Sequence, residues 1–360
     1  MEFLFSQTFL LKQGKVLKHC VDKAYSLKRG EVFMKKNNWH LFAILGIFVL
    51  AACTDGPNTI TRPDAEAYVT VTHRSGTTDV PFNPQNIAVF DMAILDSLAT
   101  LGLSERVIGM PQNAIVYLVS EFQDADVANF GTLHDPNMEM MARYDIDLII
   151  ISGRARPYFD ELSELAPTID LGLDIADMAG SFLSNHRALG EIFGIEEAVE
   201  ANLSDILALF DEATALSAQL EDEKALIIMY NDGDFQAFGP GGRFGIIHDV
   251  FGVPYVDGGV GLNAEGNHVN HGMTVNNEYI YAVDPAIIFV IDRNYTLSGS
   301  DPALHQSGFG NAIIDLTTAG RNRHIFDLNP EVYYIAPGGL QSMRGQVQGV
   351  IDALRIVLGQ

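Results

Sequence analysis

The chain has 360 residues and a formal charge of -24, from 22 Lys+Arg against 46 Asp+Glu, with two cysteines and one tryptophan. So negative a field excludes nucleic acid and anionic lipid surfaces as favourable partners, and Cys20 and Cys53 alone exclude a disulfide framework. At this length the core closes without such staples, and two lobes of ordinary domain size are expected.

Taken in chain order, residues 1 to 33 read as an upstream extension ahead of Met34. Residues 34 to 52 then have the layout of a lipoprotein signal: Lys35 and Lys36, the apolar run Leu41 to Leu50, and Ala51-Ala52 before Cys53. The run is shorter than the roughly 20 apolar residues that a membrane helix needs. A buried core helix is the plainer alternative, but the lysines before it and the cysteine and polar tether after it favour export. Cys53 is therefore the expected lipidation site, and residues 53–66 the lipidated tether. Removal of residues 1–52 leaves 14 Lys+Arg against 43 Asp+Glu, and Lys224 is then the one lysine among the 14.

An N-terminal lobe is expected over 67–195. Ala67 to His73 alternates as a strand. Ile87-Ala88-Val89-Phe90 is a short apolar strand followed by a helical pattern from Ala93 to Leu101, closed by Gly102. Asp147 to Ile151 reads as a strand apolar on both faces, which suits a parallel sheet covered by helices. From Glu196 to Leu220, apolar residues recur in steps of three and four without Gly or Pro. The spacing predicts a helix about 37 Å long, assigned to an interlobe segment over 196–222, with an ordinary long surface helix as the alternative.

A C-terminal lobe is expected over 223–360, with strands at Ala225–Met229 and Ile287–Ile291, a helix over Phe244–Val250, and a closing helix over Met343–Leu358. The halves echo each other: Glu139, Asp145 and Arg154 repeat in spacing as Glu278, Asp284 and Arg293 around two buried strands. Each half thus ends a buried strand on an arginine, at the sheet edge where ligands bind in open α/β folds. Arg243 closes Phe238-Gly239-Pro240-Gly241-Gly242 before the predicted helix, an arrangement that favours an anion through free N–H groups and the helix dipole. Compositional drift from lysine explains any one of these arginines. Three at strand and turn ends point to an anion site, which planar bidentate guanidinium groups suit.

His268 and His271 lie in a polar loop, where a histidine without a metal role is the default. No third ligand for zinc stands at useful spacing. Tyr333 and Tyr334 end an apolar-aromatic run, and one of them is expected to face the sheet's carboxyl edge. No nucleophile elbow, phosphate loop or dinucleotide fingerprint is present. The sequence offers binding groups and no reaction, so no enzyme is expected.

These blocks resemble a known family. The lipobox, Ile87 to Asp91 with Leu101-Gly102-Leu103, Ile150 to Arg154, Gly242 to Asp249, and His271-Gly272 through Glu278-Tyr279-Ile280 to Arg293 look like the ferric-siderophore substrate-binding lipoproteins of ABC importers, in the catecholate and petrobactin branch. The resemblance covers residues 67 to 358. It implies a class III periplasmic binding protein, α/β with two Rossmann-like lobes joined by one long backbone helix. It also implies that Arg154, Arg243 and Arg293 line the ligand cleft, and that His271 and Tyr334 can ligate iron left open by the siderophore. Val332 stands where relatives often carry an aromatic residue. No permanent cofactor is implied: the ferric siderophore is the transported ligand. The partners implied are an ABC permease with its ATPase and the membrane reached through Cys53, with no nucleic acid, for a monomer in the periplasm or cell envelope. A haem or cobalamin carrier of the same architecture is the alternative within the class. A lipid-anchored hydrolase using His268 and His271 is the alternative outside it.

Overall fold

The computed structural model describes residues 67–112, 117–122, 126–231, 233–256, 260–261, 272–296, 309 and 311–360, which belong to one compact unit. The signal, Cys53, the tether, His268 and His271 lie outside the described residues.

β1 (Tyr68–His73) and β2 (Gly76–Pro81) form an antiparallel hairpin. β3 (Ile87–Phe90) is buried at all its positions, and Asp91 stops it by capping α1 (Met92–Thr100), its carboxylate accepting from the Ile94 N–H. β4 (Val107–Met110), β5 (Ala128–Asn129), β6 (Leu148–Ile151) and β7 (Thr168–Asp170) complete a sheet of order β5-β4-β3-β6-β7, parallel throughout. β6 is as buried as β3, which accounts for its unbroken Leu-Ile-Ile-Ile sequence.

α2 (Met178–Phe193) ends on Gly194 in the left-handed region at φ 65°. α3 (Glu196–Ser217) follows, about 33 Å long at 22 residues. Its buried stripe, Val199, Leu203, Ile206, Phe210, Ala213 and Leu216, is the predicted one. The helix stops three residues earlier than its periodicity suggests, with Leu220 still buried beyond it. It is clasped along its length by α2 and by the last helix.

β8 (Ala225–Asn231) turns into β9 (Asp234–Phe238), which pairs with β10 (Met273–Val275). β11 (Ile287–Asp292) and β12 (Ile325–Asp327) complete the order β10-β9-β8-β11-β12. This sheet is mixed: β9 is antiparallel to both its neighbours, and β8, β11 and β12 are parallel. The helix expected over Phe244–Val250 is corrected to a single turn, Ile246–Asp249. The Asp249 carboxylate accepts from the Gly241 N–H at 2.7 Å, folding the glycine turn back on that helix, and Gly252 at φ 74° ends the segment.

The closing helix, α4 (Leu340–Val357), starts three residues earlier than predicted, because α1 supplies the partners that its first turn lacks. Asp96 accepts from the Ser342 N–H and hydroxyl at 2.8 and 2.7 Å, and Ser97 Oγ accepts from the Leu340 N–H at 3.1 Å. A Cβ at Gly339 would lie 2.1 Å from the Asp96 carboxylate, so the close approach requires glycine. His186 of α2 closes the network: Nδ1 donates to the Phe182 carbonyl and Nε2 meets Ser97 Oγ at 2.8 Å. Ile335 and Ala336, just ahead of α4, pack in the core of the first sheet. The chain thus returns from the second sheet to the first immediately after Tyr334.

Candidate ligand-binding site

Four strand ends, two in each sheet, define the site. In the first sheet, whose strands are all parallel, the strand order switches between β3 and β6, and Asp91 and Ser152-Gly153-Arg154 follow their carboxyl ends. In the second, the same point falls between β8 and β11, where Asn231 ends one strand and Arg293 follows the other. A cleft of about 690 Å³ is lined by Asp91, Ser152, Arg154, Arg243, Phe244 and Tyr334, among others, at the edge where open α/β sheets place ligands. A smaller recess of about 470 Å³ lies at the opposite edge of the second sheet, around Lys224, Asp284 and Ala286.

Tyr333 and Tyr334 occupy a π-helical turn, Glu331–Ile335, whose geometry sends consecutive side chains to different surroundings. Tyr333 is buried and its hydroxyl donates to the Gln346 carbonyl at 2.8 Å; burial pushes its phenol far up. Tyr334 meets all three predicted arginines. Arg154 and Arg243 each donate an Nη2–H to its backbone carbonyl, at 3.0 and 2.8 Å. Arg293 donates from Nε to its hydroxyl at 2.8 Å and from Nη1 to Asn231 Oδ1 at 3.0 Å. The Arg243 guanidinium also stands over the Tyr334 ring, 4.2 Å from its centroid, a cation–π distance.

So many cations around one phenol change its acidity. Burial alone would raise the Tyr334 phenol, but the Arg293 hydrogen bond and the charges of Arg243, Arg293 and Arg154 outweigh it and bring it below the ordinary tyrosine range. Arg243 is itself pushed down, first by burial and then by the charge of Arg154, a measure of how much positive charge the cleft concentrates. Asp91 shifts the other way: burial raises its carboxyl against hydrogen bonds from Ser152 and the Ile94 amide and the charge of Arg154. This acid is thus more readily neutralised than an exposed one when an anion arrives.

Chemically the site can hold an anion with flat aromatic faces, guanidinium groups supplying paired N–H donors. The predicted helix-end contribution is corrected: the Gly241 amide is taken by Asp249 and the helix is one turn long, so Arg243 acts through its side chain. Among the described residues no three His, Cys, Asp or Glu side chains group around a metal position; His268 and His271, on which the hydrolase alternative rests, lie outside them. No helix among them is long and apolar enough to cross a membrane. Sequence reasoning passed over Asn231, which its place at the end of β8 could have revealed, and over Arg74 and Arg156 on the cleft wall, which carry no local signal.

Residues 87–332 match the family model described as periplasmic binding protein, and the chain belongs to that family. Its relatives within it are particular. The chain is 35% identical over 324 residues to the petrobactin-binding protein YclQ of Bacillus subtilis (strain 168), covering 89% of this chain and 99% of that protein. The crystal structure of YclQ aligns with a TM-score of 0.73 over 80% of this chain and 99% of that one. The ferric-anguibactin-binding protein FatB of Vibrio anguillarum is 27% identical over 291 residues, 79% of this chain and 87% of FatB. The periplasmic catecholate-siderophore binding protein VctP of Vibrio cholerae is 27% identical with a TM-score of 0.71, over 79% of this chain and 99% of VctP.

Proposed function

We propose that this protein captures a ferric catecholate siderophore between its two sheets and delivers it to the permease of an ABC importer, making and breaking no bond. The observation that carries the proposal is the convergence of Arg154, Arg243 and Arg293, from two different sheets, on Tyr334. Ferric iron is a hard ion that takes oxygen donors in octahedral geometry, and its catecholate complexes are net anionic and aromatic. Guanidinium groups answer both properties, by charge-assisted hydrogen bonds and by stacking. The relatives' names, petrobactin-binding, ferric-anguibactin-binding and catecholate-siderophore binding, support the same ligand class.

Within this reading Tyr334, already held acidic, and His271 of the adjoining sequence are the residues available to iron when the siderophore leaves positions open. Cys53 carries the lipid, the protein acts as a monomer in the cell envelope, and residues 67–195 and 223–360 act as the lobes joined by 196–222. The test is a titration of ferric siderophores followed by tyrosine fluorescence, usable because the single tryptophan, Trp39, precedes Cys53. Catecholate complexes are expected to quench saturably. Saturable binding of haem, seen as a shifted Soret band, with no response to ferric catecholates would overturn the proposal.

A further inference from the structure

Two more arginines line the same cleft, Arg74 and Arg156, and the first sheet builds them a support. Asp170, at the end of β7, has a fully buried side chain and grips Arg156 side-on, Oδ2 with Nε and Oδ1 with Nη2 at 3.2 Å. The same carboxylate accepts from Ser75 Oγ at 2.8 Å and from the Gly172 N–H at 3.0 Å. Burial alone would raise this carboxyl, and these hydrogen bonds with the Arg156 charge bring it below its ordinary range. A Cβ at position 172 would come within 3.0 Å of Arg156 Nη2, so glycine keeps the space beside the guanidinium clear. Side-on pairing occupies Nε and Nη2 and leaves the Nη1 end of the fork for another acceptor.

Arg74 is held differently. Its backbone N–H donates to the Asp170 carbonyl at 3.2 Å and its Nη1 to the Leu173 carbonyl at 2.7 Å. Its one carboxylate contact among the described residues, Asp174 at 3.3 Å, is a surface pair with side chains 36% and 49% exposed. Such pairs contribute about 0–1 kcal/mol, so a ligand anion can replace Asp174 at little cost. A cation locked by a buried acid stands beside one with an exchangeable acid, on the wall that also carries Arg154.

We infer that Arg74 and Arg156 form a second anion subsite, which takes a carboxylate on the siderophore backbone, away from the iron-binding catechols. This rests on the ferric catecholate reading of the main site. It gives the protein a means to prefer a carboxylate-bearing catecholate over a neutral-backbone one of the same iron-donor set.

Two ferric bis-catecholate complexes that differ only in one backbone group, a free carboxylate in one and its primary amide in the other, are titrated into the full chain. The parent should prefer the free acid by about ten-fold, the effect of one charge-assisted hydrogen bond. In Arg74→Gln the ratio of the two affinities should fall to about one. In Asp174→Asn, which removes the competing acid, it should rise, and Arg243→Gln should weaken both complexes while keeping the ratio. Circular dichroism checks that each variant is folded. A parent that binds both complexes equally, or a ratio that Arg74→Gln leaves unmoved, overturns the subsite alone. A parent that binds neither overturns the ferric catecholate reading and the subsite with it.

Discussion

The two walls of the cleft hold their arginines by different means. On the first-sheet wall Arg156 is gripped by a buried carboxylate and Arg74 by an exposed one. On the second, Arg243 and Arg293 rest on neutral groups: a carbonyl, a phenol and the Asn231 amide. Arg293 does not itself line the cleft and reaches it through the Tyr334 hydroxyl. A guanidinium paired with a carboxylate has much of its field cancelled, whereas one held by a neutral acceptor keeps it. The second wall therefore contributes charge to the cleft and the first contributes position. Arg154 is the exception on the first wall, and it too rests on a carbonyl, that of Tyr334. Sheet type does not decide this, since one sheet is all parallel and the other mixed; both bring an arginine to the end of a central strand.

The largest expected effect is one that the two halves share. Each holds a buried neutral histidine, His186 on α2 and His248 in the single turn after the glycine loop, both pushed down to about 4, first by burial. The unfolded chain takes up these protons near pH 6.5 and the folded one only near 4. The unfolded state thus binds more protons between those values, and stability falls as pH drops through that window. Each site is expected to lose on the order of 3 kcal/mol across it. Denaturant midpoints measured from pH 7 to 4 check this, and His186→Gln should flatten the curve. His186 lies in a network that joins α1, α2 and α4; a parent curve with no fall in this window would contradict neutral histidines in both halves.

A smaller effect sharpens the contrast between the walls. Arg156→Ala strands the buried Asp170 and should destabilise the fold by about 1–3 kcal/mol, less than a fully buried pair would because Arg156 is 37% exposed. That loss should shrink as pH falls through the depressed Asp170 range, where the carboxylate takes a proton. Arg293→Ala leaves only neutral groups behind and should cost well under that, as measured by urea unfolding of the two variants side by side.

Smaller again is the effect on Tyr334. Its phenol should ionise below the ordinary value of about 10, and Arg293→Ala should move it back up, followed by the ultraviolet band of the phenolate. Tyr334→Phe should weaken a four-donor ferric bis-catecholate and shift its charge-transfer band, while altering a six-donor complex by about 1 kcal/mol or less. Equal losses for both ligands would remove the phenol from the iron.

Much of this was legible because it is local. β3, β6, β8 and β11 declare themselves as short apolar runs, α3 and α4 by their periodicity, and the arginines by standing at strand ends. The Phe244–Val250 segment misled because its apolar spacing matches a helix, while Gly241, Gly245 and Gly252 and the Asp249 carboxylate restrict it to one turn. β9 went unread although Asp232-Gly233 marks a hairpin turn in the sequence. The least legible parts join distant positions. Ser97 and Leu340 are 243 residues apart and Asp96 and Ser342 are 246 apart, so no window of sequence contains both partners. The carboxylates that hold Arg74 and Arg156 look like ordinary surface acids until the fold places them.

The proposed ferric catecholate site rests on three guanidinium groups meeting at Tyr334. Its most direct test is the affinity of one ferric tris-catecholate for the parent and for Arg154→Ala, Arg243→Ala and Arg293→Ala, measured by tyrosine quenching with circular dichroism as the control. Each variant should lose about 1.5–3 kcal/mol, one to two decades in Kd, with the fold intact. Three folded variants that bind as tightly as the parent would contradict the account.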